Sequence, residues 1–316
     1  MSFAQVKGQE DALNILRSVL INRPTHSYLF CGPEGVGKKL AALAAAQFLN
    51  CPHADDDACG RCPSCRKIAL GEHADVIMLE PDGASIKIEQ VRSLNALTSL
   101  RSYEGGYQVI IINDAHLLTE QAANSLLKML EEPKEKTVFI LITSKPEAIL
   151  STIRSRCCVI KFKGLSAADI VAVLGEQAAQ AALLANGSVK TAQDILNDPD
   201  FFTLRQDVLS FIKRLPELSP AQIIEQCALW KPNKAKAVRI LSFVEFWFRD
   251  LLLYRLSQNS SLLLNKDCLE SYQSCSSFTD ILTILEKIEQ AMRYLNQNVS
   301  PELTLEVCFF KISALK

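Results

Sequence analysis

The sequence predicts an α/β protein with a parallel sheet covered by helices on both faces, followed by an all-helical region. Two observations support this fold class. A glycine-rich turn near the N-terminus joins a short apolar run to a run of strong helix formers. After it, buried-type strands alternate with amphipathic helices as far as residue 164, and helical patterns alone continue from residue 166.

Composition limits the classes of function before any motif is considered. The chain has 316 residues, enough for two or three domains, and 48% of them are hydrophobic. Its formal net charge is −1, so contacts with DNA would need local patches or partner subunits. The N-terminus does not read as a signal peptide, and no apolar run approaches the ~20 residues of a membrane span. We therefore expect a cytoplasmic protein without membrane contact.

The first elements predicted are a helix, a strand, a turn and a second helix. Residues 5–20 have helical apolar spacing, and residues 27–30 read as a short strand. The turn at residues 32–38 has the sequence GPEGVGK, and residues 40–49 are strong helix formers. A strand, a glycine-rich turn and a helix in this order are the context that a phosphate-binding loop requires.

The glycines of this turn allow the backbone N–H groups to converge on an anion, while the new helix and Lys38 add positive charge. The predicted phosphate-binding residues are Gly32, Gly35, Gly37 and Lys38. Lys39 departs from the pattern, because Ser or Thr at this position would offer a hydroxyl to Mg²⁺. An ammonium group cannot ligate a cation, so the loop has the form of a nucleotide site with altered chemistry.

A cysteine cluster follows the phosphate-loop helix, within residues 51–65. Its spacing lets four thiolates reach one tetrahedral Zn²⁺, and a closed shell of this kind indicates structural zinc. The predicted ligands are Cys51, Cys59, Cys62 and Cys65. Two alternatives are a ligand set in which His53 replaces one cysteine and a cluster of reduced free thiols. The other seven cysteines are scattered and resemble small core residues.

The next strands lead to a second altered position. Residues 76–79 and 107–112 read as buried strands, with a helix predicted near residues 86–94 between them. The second strand ends in Asn113-Asp114, where an ATPase would carry Asp-Glu. The carboxylate on the Mg²⁺ side has become an amide and the second side chain is shorter, so both changes should weaken hydrolysis.

The rest of the chain completes the sheet and then becomes helical. An amphipathic helix over residues 119–132 precedes strands at residues 137–144 and 159–162. Short helices follow through Leu196, and residues 197–200 form a linker. In the last region Trp247 lies on a helix that is apolar around most of its circumference, so we expect a core position for it.

Several motifs together resemble the bacterial DNA polymerase III clamp-loader ATPases of the AAA+ class. They are the phosphate loop, the cysteine insertion directly after its helix, the segment ANSLLKMLEEP at residues 123–133, Ser155-Arg156-Cys157, and residues 298–306. The last of these resembles the final collar helix of δ′ subunits. Lys39, Asn113 and Asp114 favour the δ′ type over the γ/τ motor type, and we expect no polymerase- or helicase-binding tail.

The resemblance implies further site residues. A δ′ subunit sits in a five-subunit ring and presents an arginine finger to the nucleotide of a neighbouring γ/τ ATPase, and Arg156 matches this position. The alternative for Arg156 is a surface arginine paired with a carboxylate of the same chain. Thr143 matches the polar sensor beside the γ-phosphate. Lys190 stands where active members carry a second sensor arginine.

The sequence therefore predicts a three-part chain that completes the clamp-loader ring. Residues 1–164 form the AAA+ core with its zinc module, residues 165–200 a small helical lid, and residues 201–316 a helical collar. The implied partners are γ/τ and δ subunits, with the sliding clamp and primer-template DNA reached through the complex. Binding of ATP or ADP at the altered phosphate loop without hydrolysis is an alternative that the sequence does not decide. The alternatives are an active γ/τ-like motor and a zinc-dependent interaction module with a vestigial phosphate loop.

Overall fold

The computed structural model describes residues 2–22, 24–98 and 102–315. It comprises two compact units, Met1–Asp194 and Ile195–Lys316. None of the described helices is long and apolar enough to cross a membrane.

The first unit is built on a five-stranded sheet in which every pair of neighbouring strands is parallel. The strand order is β2-β3-β4-β1-β5, so β3, β4 and β1 are consecutive and their carboxyl ends lie at one edge. This edge is where open α/β sheets place their ligands. The strands are β1 (Ser27–Cys31), β2 (Val76–Leu79), β3 (Gln108–Ile112), β4 (Thr137–Thr143) and β5 (Cys158–Lys161).

Helices pack on both faces of this sheet, and further short helices follow it in the sequence. A short 3₁₀ helix at Phe3–Gln5 precedes the first α-helix. The α-helices are α1 (Glu10–Asn22), α2 (Lys38–Asn50), α3 (Pro63–Leu70), α4 (Ile88–Thr98), α5 (Glu120–Glu131), α6 (Ser151–Arg154), α7 (Ala167–Leu174), α8 (Ala179–Leu184) and α9 (Val189–Asn197).

Two apolar cores, one on each face, hold the sheet. Alternate strand residues divide between them, because successive side chains of a strand point to opposite faces. Tyr28 and Phe30 pack with α1 and α2, whereas Leu29 packs with α4 and α5 on the other face. The predicted parallel sheet with both faces covered is confirmed.

The second unit is entirely helical in its described residues, as predicted. Its α-helices are α10 (Phe201–Arg214), α11 (Pro220–Leu229), α12 (Lys234–Ser257), α13 (Leu269–Ser274), α14 (Ile281–Asn296) and α15 (Pro301–Ser313). Trp247 of α12 is 1% exposed and packs against Phe248 and Phe278, which confirms its core position.

The seven cysteines outside the cluster divide into two groups. Four are buried and three are partly exposed, so the expectation of core positions holds fully only for the first group. The buried residues are Cys31, Cys227, Cys268 and Cys308, and the partly exposed ones are Cys157, Cys158 and Cys275.

Candidate nucleotide and metal sites

The phosphate loop connects the end of β1 to the start of α2. Gly32 has φ 152°, and a Cβ there would lie 2.3 Å from the carbonyl oxygen of Phe162. Gly35 has φ 74°, and its Cβ would lie 2.3 Å from Ser188 Oγ. Only glycine fits these two positions without displacing neighbouring atoms. The neighbouring chain therefore fixes the tight course of the loop.

A cavity of about 520 Å³ lies over this loop. Its other walls include residues that follow β3, the end of β4, the start of α9 and residues 5–7 at the N-terminus. The predicted nucleotide-site residues that line it are Gly35, Gly37, Lys38, Lys39, Asn113, Asp114 and Lys190. The structure thus brings together side chains that are far apart in the sequence.

Lys38 is turned toward the loop's own backbone. Its side chain is largely buried, and Nζ donates to the carbonyl oxygen of Gly32 at 2.6 Å and to that of Pro33. Burial lowers the pKa of this ammonium group, against the opposing effect of Asp114 and Glu34. A phosphate entering the loop would therefore compete with two carbonyl oxygens for Lys38.

One carboxylate, that of Glu80, accepts hydrogen bonds from both Lys39 and Asn113. These are the two residues that replace expected Mg²⁺ ligands. Lys39 Nζ donates to Glu80 Oε1 at 2.7 Å, and Asn113 Nδ2 donates to Glu80 Oε2 at 2.9 Å. Burial opposes ionisation of Glu80, but these two donors lower its pKa overall. Sequence reasoning missed Glu80, although its place directly after β2, at the ligand-binding edge of the sheet, is a usable signal.

Asp114 lies two residues after the end of β3, and Thr143 is the last residue of β4. Asp114 has φ 48° and its Oδ2 accepts from Asn113 Nδ2 at 3.2 Å. Thr143 is fully buried, and its Oγ1 lies 3.3 Å from His116 Nδ1 and accepts from the Lys145 N–H at 3.0 Å. The residues on either side of Thr143 line the cavity, so its hydroxyl lies just behind the cavity wall.

Lys190 joins the start of α9 to the phosphate loop. Its Nζ lies 2.5 Å from Glu34 Oε1, and this carboxylate raises the pKa of Lys190. The adjacent N–H of Val189 donates to the carbonyl oxygen of Gly35 at 3.0 Å. The loop and α9 are therefore connected by one backbone hydrogen bond and one exposed ion pair.

Arg156 lies between α6 and β5 and is absent from the described residues that line the cavity. Its guanidinium lies 2.8 Å from Glu131 Oε1 and donates to the carbonyl oxygen of Thr152 at 3.0 Å. The side chain is 39% exposed. Arg156 thus forms the ion pair with a carboxylate of the same chain that was predicted as the alternative to an arginine finger. Its guanidinium is also accessible to solvent.

The four cysteines form a compact cluster. Their Sγ atoms all lie within 4.8 Å of one another. A tetrahedral Zn²⁺ with Zn–S bonds of about 2.3 Å requires sulfurs about 3.8 Å apart, and the Sγ atoms of Cys51 and Cys62 are 3.9 Å apart. The cluster fits a metal ion of this kind. Among the described residues, His53 is not part of it.

The environments of the thiols favour a bound cation. N–H groups of Arg61 and Cys62 lower the pKa of the Cys59 thiol to about 6, so this sulfur is ionised at neutral pH. Burial raises the pKa of Cys65, whose thiolate needs a neighbouring positive charge. Cys62 also caps the N-terminus of α3, where its sulfur accepts from the Cys65 N–H.

Hydrogen bonds of Gln47 and Asp57 anchor this cysteine module to the rest of the first unit. Gln47 of α2 is fully buried, and its Nε2 donates to the carbonyl oxygen of Cys65 at 2.7 Å. The carboxylate of Asp57 accepts from the N–H groups of Phe3 at 3.1 Å and Ala4 at 3.2 Å. Neither contact was predicted, because each joins segments that are remote in the sequence.

Family models match both parts of the chain. Residues 8–166 match "DNA polymerase III, delta subunit", and residues 199–313 match "DNA polymerase III, delta subunit, C terminal". The chain is 31% identical over 307 residues to the Bacillus subtilis DNA polymerase III subunit delta′, covering 92% of each protein. It is 29% identical over 350 residues to the B. subtilis subunit tau, covering 98% of this chain and 61% of tau.

A solved structure supports the fold. A DNA polymerase III gamma subunit-related protein from Thermotoga maritima superimposes with a TM-score of 0.51 at 18% identity. The match covers 96% of this chain and 99% of that protein. The predicted AAA+ architecture is confirmed, and the chain belongs to the family of delta′ subunits of the DNA polymerase III clamp loader.

Proposed function

We propose that this chain is the δ′ stator of a bacterial clamp loader, which completes a ring with γ/τ and δ subunits. In this role it supplies Arg156 to the nucleotide bound by a neighbouring γ/τ ATPase. The partner ATPases then open the sliding clamp and place it on primer-template DNA. The AAA+ core, the helical lid and the helical collar would occupy residues 1–164, 165–200 and 201–316.

The observation that carries this proposal is the position of Arg156. The side chain is exposed and lies outside the described lining of the chain's own cavity, so its charge is available to a phosphate held by a second subunit. Its pair with Glu131 costs little to break, since exposed ion pairs contribute about 0–1 kcal/mol. A guanidinium placed beside the developing charge of a γ-phosphate accelerates transfer by about 10³-fold or more.

The altered nucleotide site of this chain also supports the stator role, because it lacks groups that ATP hydrolysis needs. Lys39 is an ammonium where hydrolysis needs a hydroxyl ligand for Mg²⁺, and Asn113 is a neutral amide where it needs a carboxylate. We therefore propose that ATP turnover by this subunit is absent or weak. Lys38, Asp114, Thr143 and Lys190 would form a degenerate nucleotide site, and the four cysteines would hold a structural Zn²⁺.

The test is Arg156→Ala in a ring reconstituted with γ/τ and δ subunits. We expect the ring to assemble, while ATP hydrolysis at the adjacent motor site falls by about 10³-fold. Single-turnover hydrolysis and clamp loading on primed DNA are the measurements. Arg154→Ala is the matched control, because Arg154 is another exposed arginine two residues earlier. Normal hydrolysis in the Arg156→Ala ring would refute the finger, and failure of the wild-type chain to join the ring would refute the stator role.

A further inference from the structure

We propose that the Lys39 ammonium takes the place of the divalent metal, so that the phosphate loop binds a nucleoside triphosphate without Mg²⁺. The inference concerns the ligand of this chain's own cavity and does not depend on Arg156 acting on a neighbour. It rests on the chemistry of Lys39 and Asn113, which replace the expected Mg²⁺ ligands, and on the positions of these two side chains beside Glu80.

The first step is that neither Lys39 nor Asn113 presents a hydroxyl or carboxylate oxygen to a metal ion. Mg²⁺ takes six oxygen ligands in near-octahedral geometry. Lys39 offers no lone pair, and the amide nitrogen of Asn113 points its hydrogens at Glu80 and Asp114. Both carboxylate oxygens of Glu80 already accept hydrogen bonds, one from each of these residues.

The second step is electrostatic. A metal ligated by Glu80 would have to approach the ammonium that lies 2.7 Å from Oε1 of the same carboxylate. Two like charges about 4 Å apart repel by about 4 kcal/mol near a protein surface. Whether it stays on Glu80 or turns to a bound phosphate, the Lys39 ammonium therefore competes with a divalent cation for this end of the cavity.

The third step is that Lys39 can reach a bound phosphate. It follows Lys38 directly in the first turn of α2, and both side chains line the cavity. The side chain of Lys39 is 52% exposed, so its pair with Glu80 is screened and exchangeable. A triphosphate in the loop would meet two adjacent ammonium groups and the positive end of α2, which together supply charge that Mg²⁺ normally contributes.

The test compares ATP binding to the purified full-length chain in EDTA and in Mg²⁺, by calorimetry. We expect the wild-type chain to bind metal-free ATP at least as tightly as Mg²⁺-ATP. The double variant Lys39→Thr with Asn113→Asp restores the metal ligands. It should lose about tenfold in affinity for metal-free ATP, the size of one charge-assisted hydrogen bond, and regain affinity when Mg²⁺ is added.

Further variants keep the result interpretable. Lys38→Ala should remove binding in both conditions, and Lys87→Thr, a change at an exposed lysine absent from the described cavity lining, should alter neither. Mn²⁺ added with ATP should stay free in solution with wild type and become immobilised, by electron paramagnetic resonance, in the double variant. Binding of wild type to Mg²⁺-ATP alone, or to neither form at millimolar concentration, would overturn the proposal.

Discussion

The two ends of α2 carry sites that are held together in different ways. At its N-terminal end the phosphate loop is fixed by packing and backbone contacts, such as those of Gln9 Nε2 with the Val36 carbonyl and of the Val189 N–H with Gly35. At its C-terminal end the buried cluster of the cysteine module consists of three cysteines and Ala58. A site held by packing can change its ligand chemistry and keep its fold, whereas a site held by metal thiolates cannot.

The largest effect should come from breaking the cysteine end. Cys65→Ser removes a fully buried predicted ligand, and we expect loss of metal binding and unfolding of the module. Zinc binding contributes about 10–16 kcal/mol in small zinc domains, so a loss of several kcal/mol of stability is expected here. Zinc content and thermal denaturation are the measurements. Cys275→Ser, outside the cluster, should retain the metal, and a metal-free but equally stable Cys65→Ser chain would contradict the prediction.

An intermediate effect is expected where the module meets the N-terminal segment. Asp57→Ala leaves the N–H groups of Phe3 and Ala4 without their acceptor, at a cost of about 1–2 kcal/mol, as for a lost helix cap. Hydrogen exchange should rise in residues 2–9, which lead into the nucleotide cavity. Asp56→Ala, at the exposed neighbour, is the control. Unchanged exchange in Asp57→Ala would mean that the module does not hold this segment.

The smallest effect should come from removing charge at the phosphate end. Glu34→Gln breaks the exposed pair with Lys190, and we expect stability to change by no more than about 1 kcal/mol. The hydrogen bond between Val189 and Gly35 would keep α9 on the loop. Chemical denaturation measures this change. A loss as large as that of Cys65→Ser would show that charge pairs, and not packing, hold the loop.

The strands and the phosphate loop could be predicted because short apolar runs indicate the strands and the glycine spacing indicates the loop. The strand predicted at residues 76–79 matches β2, and the strand predicted at 107–112 differs from β3 by one residue. The first helix starts later than expected, at Glu10, because residues 3–5 form a separate 3₁₀ helix and Gly8 has φ 67°. Continuous apolar runs between turns predict buried strands well. The start of the first helix depends also on long-range contacts of the N-terminal segment, such as those of Asp57 with the N–H groups of Phe3 and Ala4.

The phosphate loop, the cysteine quartet and the three altered positions could all be predicted from the sequence, because each depends on residue type and short spacing. The partners of the charged side chains become apparent only in the folded chain. Lys39 meets Glu80 across 41 residues, and Lys190 meets Glu34 across 156. Strand order and helix packing bring these groups together, and neither composition nor periodicity encodes which carboxylate a given lysine will reach.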